Sequence, residues 1–363
     1  MTYCPDFQRQ QRAQCRRSKA RSLQRRWLEA LTWGNKDLSP NRAKEIQLWL
    51  NIFPVNWRQL PDSLFLEQQI DTIHTNMHAS YKYLLEGMVL DPAIQISLNG
   101  TSNHRQNPNE NLARELLELF TLGEGQFTEK DIQESARALT GYRLNSNHKL
   151  LLIDRRHDNG VKQILKRSEK FNGSSLALWL GEQTATAHNI TKRVWLRLVG
   201  THPSAIRLDK LADDWRRNKL SIPWLVDEIH TSQEALLSRR NGLRIADPLE
   251  MISRSLHLLN SRHPDALSIS LQGLRAMGQM PFEPTSVKGW PTNTQWLQTR
   301  WMRARRRTLQ NLIADEEAWA SANLPPELSS ELTPIPPLNL KLPATPSREN
   351  LLMLFSDPVW QLA

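Results

Sequence analysis

Helical periodicity is the feature that most constrains the fold of this chain. Apolar residues recur at spacings of three and four over 40–53 and 63–90, and similar patterns fill most of 174–260. The chain has 363 residues, which is enough for a sizeable core. No run of about 18 apolar residues occurs, so a membrane span is not expected. The sequence predicts a mainly α protein, built as a bundle-like array of helices.

One segment departs from the helical pattern. Short apolar runs at 150–153 and 161–165 flank the pair Asn159-Gly160. An Asn-Gly pair between short apolar runs is typical of a β-hairpin turn. The sequence therefore predicts one small β-hairpin near 148–168.

Shifts in composition divide the chain into five regions. Proline is concentrated in 322–348, which is typical of an extended linker. Further helices are expected near 108–122, 129–140, 174–180, 186–199, 204–217, 222–230, 232–239 and 247–260, and a basic helix is expected to end near 320. The predicted regions are a basic N-terminal tail, 1–39, whose order the pattern leaves open; a helical region with an acidic helical hairpin, 40–145; the β-hairpin and further helices, 146–321; the Pro-rich linker, 322–348; and a terminal helix, 349–363.

Positive charge is concentrated in two places. The formal net charge is +10, and the segment Arg9–Arg26 contains eight basic residues and no acid. A second basic cluster spans Arg300–Arg307. Such runs bind phosphates of nucleic acid or an anionic surface, or they form ordinary solvated faces. Both interpretations stay open at the level of sequence.

Cysteine content and the N-terminal pattern bear on location and metal binding. The only cysteines are Cys4 and Cys15, which predicts neither a disulfide framework nor a four-ligand zinc site. The basic start has no apolar stretch behind it, so no secretory signal is evident and the cytoplasm is the expected location. His74 and His78 have a spacing that can hold zinc, but the glutamate of a metalloprotease helix is missing. We predict no metal site and identify no cofactor.

The most informative motif is the acidic segment 107–123. Asn107 suits the N-cap of a helix and Pro108 its first position, while Glu110 can complete a capping box. Gly123 suits the left-handed residue that ends the helix. A second helix repeats this pattern, with Thr128 as its cap, Asp131 at the third position and Gly141 after its end. The two helices are expected to form a short helical hairpin.

The polar face of this hairpin allows two interpretations. In the structural one, Arg114 forms ordinary ion pairs with Glu110 and Glu118, each four residues away. In the functional one, Glu115 and Glu118, with Asn111 behind them, line a polar pocket.

The same segment closely resembles the signature of a bacterial family known as domain of unknown function 1800. The resemblance is strongest over 109–123 and 136–142 and extends over roughly 40–363. It implies a mostly helical bacterial protein and supplies no established activity, and it suggests a sulfatase-like protein as partner. Further similar segments are Asp91-Pro92-Ala93, His157-Asp158-Asn159-Gly160, Phe171-Asn172-Gly173, Pro281-Phe282-Glu283-Pro284, Val287-Lys288-Gly289-Trp290-Pro291 and Ser356-Asp357-Pro358-Val359-Trp360-Gln361.

The chain also departs from the pattern of this family. Many members carry a Phe-Trp-His-Asn-His-Phe segment where this chain has 48–53, which contains no histidine. The resemblance also implies that many members are longer at the N-terminus, with an exported start. Any chemistry that depends on those histidines is therefore not expected here.

Three functions remain open. The leading hypothesis is a protein-interaction or scaffold role through the acidic hairpin and the Trp290 loop, 287–291, because capping, packing and turns account for every motif. The alternatives are a hydrolase-type enzyme, metal-assisted or not, and binding of nucleic acid or an anionic surface through the basic segments. Candidate binding residues are Asn109, Asn111, Arg114, Lys288 and Trp290, and candidate catalytic residues are Glu115, Glu118, His157 and Asp158.

Overall fold

The computed structural model describes residue 4 and residues 9–363 of the chain. In the first half of the described chain the helices are α1 (Arg9–Trp33), α2 (Pro40–Leu50), α3 (Leu64–Asn76), α4 (Tyr81–Val89), α5 (Pro92–Ser97), α6 (Asn111–Glu115) and α7 (Glu129–Ala138). In the second half they are α8 (Gly173–Gly181), α9 (Thr184–Leu198), α10 (Ala205–Arg217), α11 (Ile222–His230), α12 (Gln233–Arg240), α13 (Pro248–Leu259), α14 (Pro264–Ala276), α15 (Thr299–Ala314), α16 (Glu316–Ala320) and α17 (Arg348–Ser356). The short strands are β1 (Tyr142–Leu144), β2 (Leu150–Leu152), β3 (Lys162–Ile164) and β4 (Arg167–Glu169). The described chain is therefore mainly α, as the periodicity predicts.

One continuous hydrophobic core joins the helices. It runs in sequence from Leu23 in α1 to Trp360 near the C-terminus. Helix α4 packs on α8, α9 on α10, α14 on α15, and α1 on both α2 and α13. In α13, Ile252, Leu256 and Leu259 are spaced by four and three residues and are all buried, as expected for a helix that buries one face.

Side-chain caps decide where several helices begin. The Asp91 carboxylate accepts hydrogen bonds from the backbone amides of Ala93 and Ile94, and Pro92 occupies the first position of α5. Ser39 caps α2 in the same way, again before a proline. Such caps satisfy amide groups that lack partners within the helix.

The N-terminal region differs from the tail that its basic composition suggested. Within 1–39, residues 9–33 form α1, and Leu23, Trp27, Leu28 and Leu31 on this helix are buried in the core. The spacing of these four residues is helical. The many arginines around them led to the expectation of a basic tail instead. The correction adds a core-forming helix to the N-terminal end of the described chain.

The cysteines also differ from the prediction, because Cys4 and Cys15 form a disulfide with a Cα–Cα distance of 6.1 Å. The backbone amide of Cys4 donates to the Asp62 carboxylate over 2.7 Å, and Lys19 forms an ion pair with the same carboxylate at 2.9 Å. Asp62 therefore holds Cys4 beside α1. A disulfide requires a specific distance and orientation of the two cysteines, and the sequence alone does not give either.

The predicted pairing of 150–153 with 161–165 is wrong in detail. Strand β2 pairs with the preceding β1, and β3 pairs with the following β4, both antiparallel. The Asn159-Gly160 pair does not form a hairpin turn, because the amide of Gly160 donates to the carboxylate of Asp158 instead. Local side-chain hydrogen bonds of this kind compete with strand pairing.

Two further segments were not foreseen in their observed form. Helix α14 lies in a stretch that was not predicted as helix, and it packs so closely on α15 that a Cβ at Gly273 would lie 2.2 Å from a Thr308 methyl carbon. The Pro-rich segment is irregular, as expected, yet Leu328 within it is fully buried and forms a bridge with Ala344. The segment 322–348 therefore packs against the core.

Candidate functional site

The acidic helix begins later than predicted and widens in its second half. Helix α6 starts at Asn111, and Asn109 accepts a hydrogen bond from the Asn111 amide over 2.9 Å, so the predicted cap at Asn107 is wrong. Residues Leu116–Phe120 then form a π-helical turn. Single π-helical turns are rare in proteins, and those that occur often lie at functional sites.

Two hydroxyl groups hold the π-helical turn. The Thr121 hydroxyl donates to the carbonyl oxygen of Leu116 over 2.6 Å, and the buried Tyr81 hydroxyl donates to the carbonyl oxygen of Phe120 over 2.6 Å. A wide turn leaves carbonyl groups without helical partners, and these bonds satisfy them. The predicted left-handed residue after the helix is present, because Gly123 has a φ of 89°.

The ion pairs of the hairpin agree with the prediction only in part. Arg114 pairs with Glu110 at 3.2 Å, as predicted, and also with Glu129 at 3.0 Å. The predicted pair of Arg114 with Glu118 is replaced by a pair between Glu118 and Lys288 at 3.3 Å. The second helix starts as predicted, with a capping box between Thr128 and Asp131.

Lys288 lines a cleft of about 960 Å³, which we call the hairpin cleft. Its amino group lies 3.3 Å from Glu118 and 3.4 Å from Glu124. Helix α9 contributes further lining residues, most of them polar, that the sequence analysis missed. The residues from α9 are Thr184, Ala185, His188, Asn189, Lys192 and Arg193.

The spacing of these α9 residues in the sequence could have indicated that they line a common surface. His188 and Lys192, and likewise Asn189 and Arg193, are four residues apart and therefore share one helix face. Asn189 and Arg193 also fix the end of the acidic helix, because they donate to the carbonyl oxygens of Thr121 and Leu119. A stripe of polar residues on an otherwise buried helix indicates that the helix lines a cleft. The stripe alone does not identify the part of the chain that forms the rest of the cleft.

Glu115 lies close to the cleft without lining it. Burial raises the pKa of Glu115, the nearby Glu118 raises it further, and Lys288 opposes the rise. The two carboxylates and Lys288 therefore form one electrostatic group. Such a group can bind cationic side chains or exchange its own cation for another.

The residues of the Trp290 loop differ in their exposure to solvent. Trp290 is 6% exposed and belongs to a buried cluster with Trp296 and Trp301, whereas the Lys288 side chain is 64% exposed. Gly289 between them has a φ of 91°, and a Cβ there would lie 3.0 Å from the carbonyl oxygen of Asn51. Trp290 therefore anchors the loop from inside while Lys288 reaches the cleft.

His157 and Asp158 belong to a second group of contacts. The buried His157 has its Nδ1 atom 2.9 Å from the carbonyl oxygen of Thr140. Asp158 accepts from Arg137 Nε over 2.7 Å, and this arginine lowers the pKa of the Asp158 carboxyl group. Over the described residues, no hydrogen bond or ion pair joins these two side chains to Glu115 or Glu118.

Metal binding receives no support from the described side chains. Residue 4 and residues 9–363 contain no group of three or more His, Cys, Asp or Glu side chains that could hold a metal ion. His74 lies within α3, and His78 follows the end of that helix and approaches Glu45 at 3.6 Å.

The basic segments are used partly for internal contacts. Arg16 donates to the backbone carbonyl groups of Arg58 and Leu60. Arg305 is fully buried and donates to the Ala246 carbonyl oxygen and to Gln361. Binding of nucleic acid through the remaining basic side chains stays a prediction.

Comparison with known proteins places the chain in a family. The profile of the family described as "Protein of unknown function (DUF1800)" matches residues 2–358, and thus includes α1, which lies outside the region of resemblance predicted from the motifs. Nothing among the curated proteins or the solved structures matches the chain significantly. Across the described residues, no helix combines the length and the apolar character needed to cross a membrane. The chain belongs to the DUF1800 family.

Proposed function

We propose that this chain is a protein-binding module whose hairpin cleft receives a basic segment of a protein partner. The observation that carries the proposal is the Lys288 amino group, which pairs with both Glu118 and Glu124 in the lining of the cleft. Lys288 comes from a loop distant in sequence and occupies a place between two carboxylates that suits a lysine or arginine of a partner. Lys192 and Arg193 on α9 restrict that cation to the side of the cleft formed by Glu118 and Glu124.

The exposure of these three side chains favours an exchange. Lys288 is 64% exposed and Glu124 is 77% exposed, whereas Glu118 is only 21% exposed. An exposed ion pair stabilises a fold by only about 0–1 kcal/mol. A partner cation can therefore displace Lys288 at little cost, while the less exposed Glu118 keeps its position.

The lining of the cleft suits a polypeptide. Gln126 provides a side-chain amide group for backbone hydrogen bonds. Gln183 and Asn189 provide their amide oxygens, because their NH2 groups donate to the carbonyl oxygens of Trp179 and Thr121. Leu119 and Leu122 provide apolar surface in the same lining. Peptide-binding grooves combine such polar groups with apolar pockets. The resemblance of the motifs suggests a sulfatase-like protein as the partner, and that identity is a prediction.

The hydrolase alternative receives less support. Asp158 is held by Arg137, and the Nδ1 atom of His157 is held by the Thr140 carbonyl group. A general base needs an acceptor within reach of a substrate. Because Nδ1 of His157 donates to Thr140, its Nε2 atom is the acceptor, but the residue is only 4% exposed, and the Asp158 carboxylate is paired with Arg137.

The location of the protein is a further part of the proposal. The disulfide between Cys4 and Cys15 favours an oxidising compartment over the cytoplasm that the sequence led us to expect.

Site-specific photo-crosslinking in the native host tests the binding function. A photoreactive residue at the exposed Gln126, which lines the cleft, is expected to give one defined protein adduct. The double variant Glu118→Lys/Glu124→Lys is expected to lose this adduct. The variant Lys288→Ala is expected to increase it, because the internal competitor is removed.

The matched control is Glu331→Lys, which reverses an exposed acid outside the cleft and is expected to leave the adduct unchanged. The proposal is wrong if no defined adduct forms, or if the double variant gives the same adduct as the unmodified cleft.

A further inference from the structure

A second cavity, of about 930 Å³, lies between α2, the C-terminal end of α9 and α13. We call it the arginine cavity. It is separate from the hairpin cleft and shares no lining residue with it. Its volume is within the range of small-molecule sites, about 300–1,000 Å³.

Cationic side chains outnumber acidic ones in the lining of the arginine cavity. Five cationic residues face three acidic residues, and two histidines, His230 and His257, are added. The cationic residues are Lys44, Arg197, Arg239, Arg244 and Arg254, and the acidic ones are Glu45, Asp247 and Glu250.

The acids of this lining leave most of the positive charge unpaired. Arg244 forms a two-pronged ion pair with Glu250, at 2.9 and 2.6 Å. Glu45 pairs instead with Arg42 and His78, neither of which lines the cavity. The ion pairs of Glu45 therefore lie outside the cavity lining.

Asp247 has a structural role in the same lining. Its carboxylate caps α13 by accepting a hydrogen bond from the Glu250 amide over 2.8 Å. Burial and the nearby Glu250 raise the pKa of Asp247. Asp247 is therefore a weaker source of negative charge than an exposed aspartate.

Among the described residues, Arg197 lines the cavity without an ion pair. Its single hydrogen bond goes to the carbonyl oxygen of Asn51 over 3.3 Å, and it forms no ion pair with any described residue. Arg254 and Arg239 also form no direct ion pair with a carboxylate in the described part of the chain, although the charge of Glu250 acts on Arg254. Arg254 donates to the carbonyl oxygens of Leu362 and Trp360, and Arg239 contacts the Nδ1 atom of His230 at 3.0 Å.

Burial without an ion pair is costly for these partly exposed side chains. Burial and a neighbouring arginine lower the pKa of Arg197 and of Arg254 to about 10 each, and the charges of Asp247 and Glu250 oppose the decrease at Arg197 and Arg254, respectively. Both groups are still charged at neutral pH. Buried charges in proteins are normally paired, so a cavity with several unpaired guanidinium groups is suited to an anion.

We propose that the arginine cavity binds a small organic anion whose carboxylate or phosphate group pairs with the guanidinium group of Arg197. The planar guanidinium group can bind either oxyanion through two parallel hydrogen bonds. The remaining volume is lined partly by Leu48, Leu196, Leu249 and Trp296, which suit an apolar portion of the ligand. This inference does not depend on the function proposed for the hairpin cleft.

Thermal unfolding at constant ionic strength tests the inference on the full chain. Inorganic phosphate and acetate serve as probes, and chloride is the reference anion. At least one of the two probes is expected to raise the unfolding temperature in a saturable manner, because a ligand that binds only the folded state stabilises it. The matched control Arg240→Met removes an exposed arginine of α12 outside the cavity and is expected to respond as the unmodified chain does.

The variant Arg197→Met is expected to lose the saturable response. In chloride it is expected to be at least as stable as the unmodified chain, because it removes a buried charge that lacks an ion pair. A structural role of Arg197 would instead lower its stability. Arg197→Lys keeps the charge without the planar fork and is expected to bind the probe about tenfold more weakly.

Three results would overturn the inference. The unmodified chain shows no saturable response to either probe, Arg197→Met responds as strongly as Arg240→Met, or Arg197→Met is less stable than the unmodified chain in chloride. If Arg197→Met does not fold, the inference is overturned when Arg197→Lys binds the probe as tightly as the unmodified chain does.

Discussion

Arg137 Nε lies 2.7 Å from Asp158 Oδ2, and this ion pair ties α7 to the segment between β2 and β3. Arg137 also pairs with Glu134 at 2.8 Å, and its guanidinium group donates to the carbonyl oxygen of Val161. Asp131 and Glu134 of the same helix also accept hydrogen bonds from the backbone amides of Leu165 and Gln163, so several α7 side chains fasten the β3 segment to the acidic hairpin. Asp158, a candidate catalytic residue in the sequence, has a structural role in these contacts.

Asp158→Asn is expected to destabilise the protein by about 1–3 kcal/mol, the range for removing a charged partner from a mostly buried hydrogen bond. Arg137 lowers the folded-state pKa of Asp158 below its ordinary value. The stabilisation is therefore present above the unfolded-state pKa, near pH 4, and is lost as the pH falls through the folded-state pKa. Urea denaturation at pH 7 and at pH 2.5 measures this change.

The exposed variant Asp213→Asn is a suitable control, because its carboxylate only approaches Arg216 at 4.0 Å on the surface. A difference between Asp158→Asn and the unmodified chain that stays equally large at pH 2.5 would contradict the electrostatic explanation.

Lys288→Met is expected to raise the pKa of Glu115. Burial and Glu118 already raise this pKa, and Lys288 is the first cation that opposes the rise. NMR titration of the side-chain carboxyl carbons measures the shift. The stability of the fold is expected to change by no more than about 0.5 kcal/mol, because Lys288 is an exposed surface residue.

Lys130→Met provides the comparison for this titration, because Lys130 is exposed and does not line the hairpin cleft. An unchanged Glu115 titration in Lys288→Met would show that the loop does not hold Lys288 near the two carboxylates in solution.

Local signals in the sequence predicted much of the helical hairpin. The capping box at Thr128 and Asp131, the left-handed Gly123 and the pair of Glu110 with Arg114 all depend on residues within five positions of one another. Capping and ion pairing at this range follow from helix geometry. These features could therefore be predicted without knowledge of the tertiary fold.

The candidate site could not be predicted to the same degree, because its parts are distant in sequence. Lys288 meets Glu118 only after α9 and the Trp290 loop have packed beside the hairpin. The π-helical turn depends on the Tyr81 hydroxyl group, which arrives from α4. No local periodicity in the sequence predicts the contact of Lys288 with Glu118 or that of Tyr81 with the π-helical turn.

The cysteine pair gives a prediction that bears on location. Purified without reductant, the chain is expected to take up no thiol label in the unfolded state, because Cys4 and Cys15 are its only cysteines and both are in the disulfide. Replacing both by serine is expected to lower the free energy of unfolding by about 2–3 kcal/mol, as for a short closed loop. Mass spectrometry of the alkylated protein and urea denaturation measure the two effects.

The control is the unmodified chain after complete reduction, which is expected to take up two labels. Two labels on the chain as isolated under oxidising conditions would contradict the pairing and remove the argument for an oxidising compartment.

Asp91 gives the clearest dependence on pH. Its Oδ1 atom accepts from the amides of Ala93 and Ile94, its Oδ2 atom has no hydrogen-bond partner among the described residues, and the side chain is 1% exposed. Burial raises the pKa of Asp91 to about 7. The folded chain then binds a proton that the unfolded chain has released. This contribution to stability is complete below about pH 4 and is lost as the pH rises towards 7.

Asp91→Asn keeps the capping oxygen and cannot ionise, so its stability relative to the unmodified chain is expected to increase from pH 4 to pH 7. Asp91→Ala loses the cap and is expected to be less stable than Asp91→Asn by about 1 kcal/mol at every pH. Urea denaturation of the three chains between pH 4 and pH 8 measures both effects. A constant difference between the unmodified chain and Asp91→Asn over this range would show that Asp91 keeps an ordinary pKa, and that solvent or a hydrogen-bond donor reaches its second oxygen.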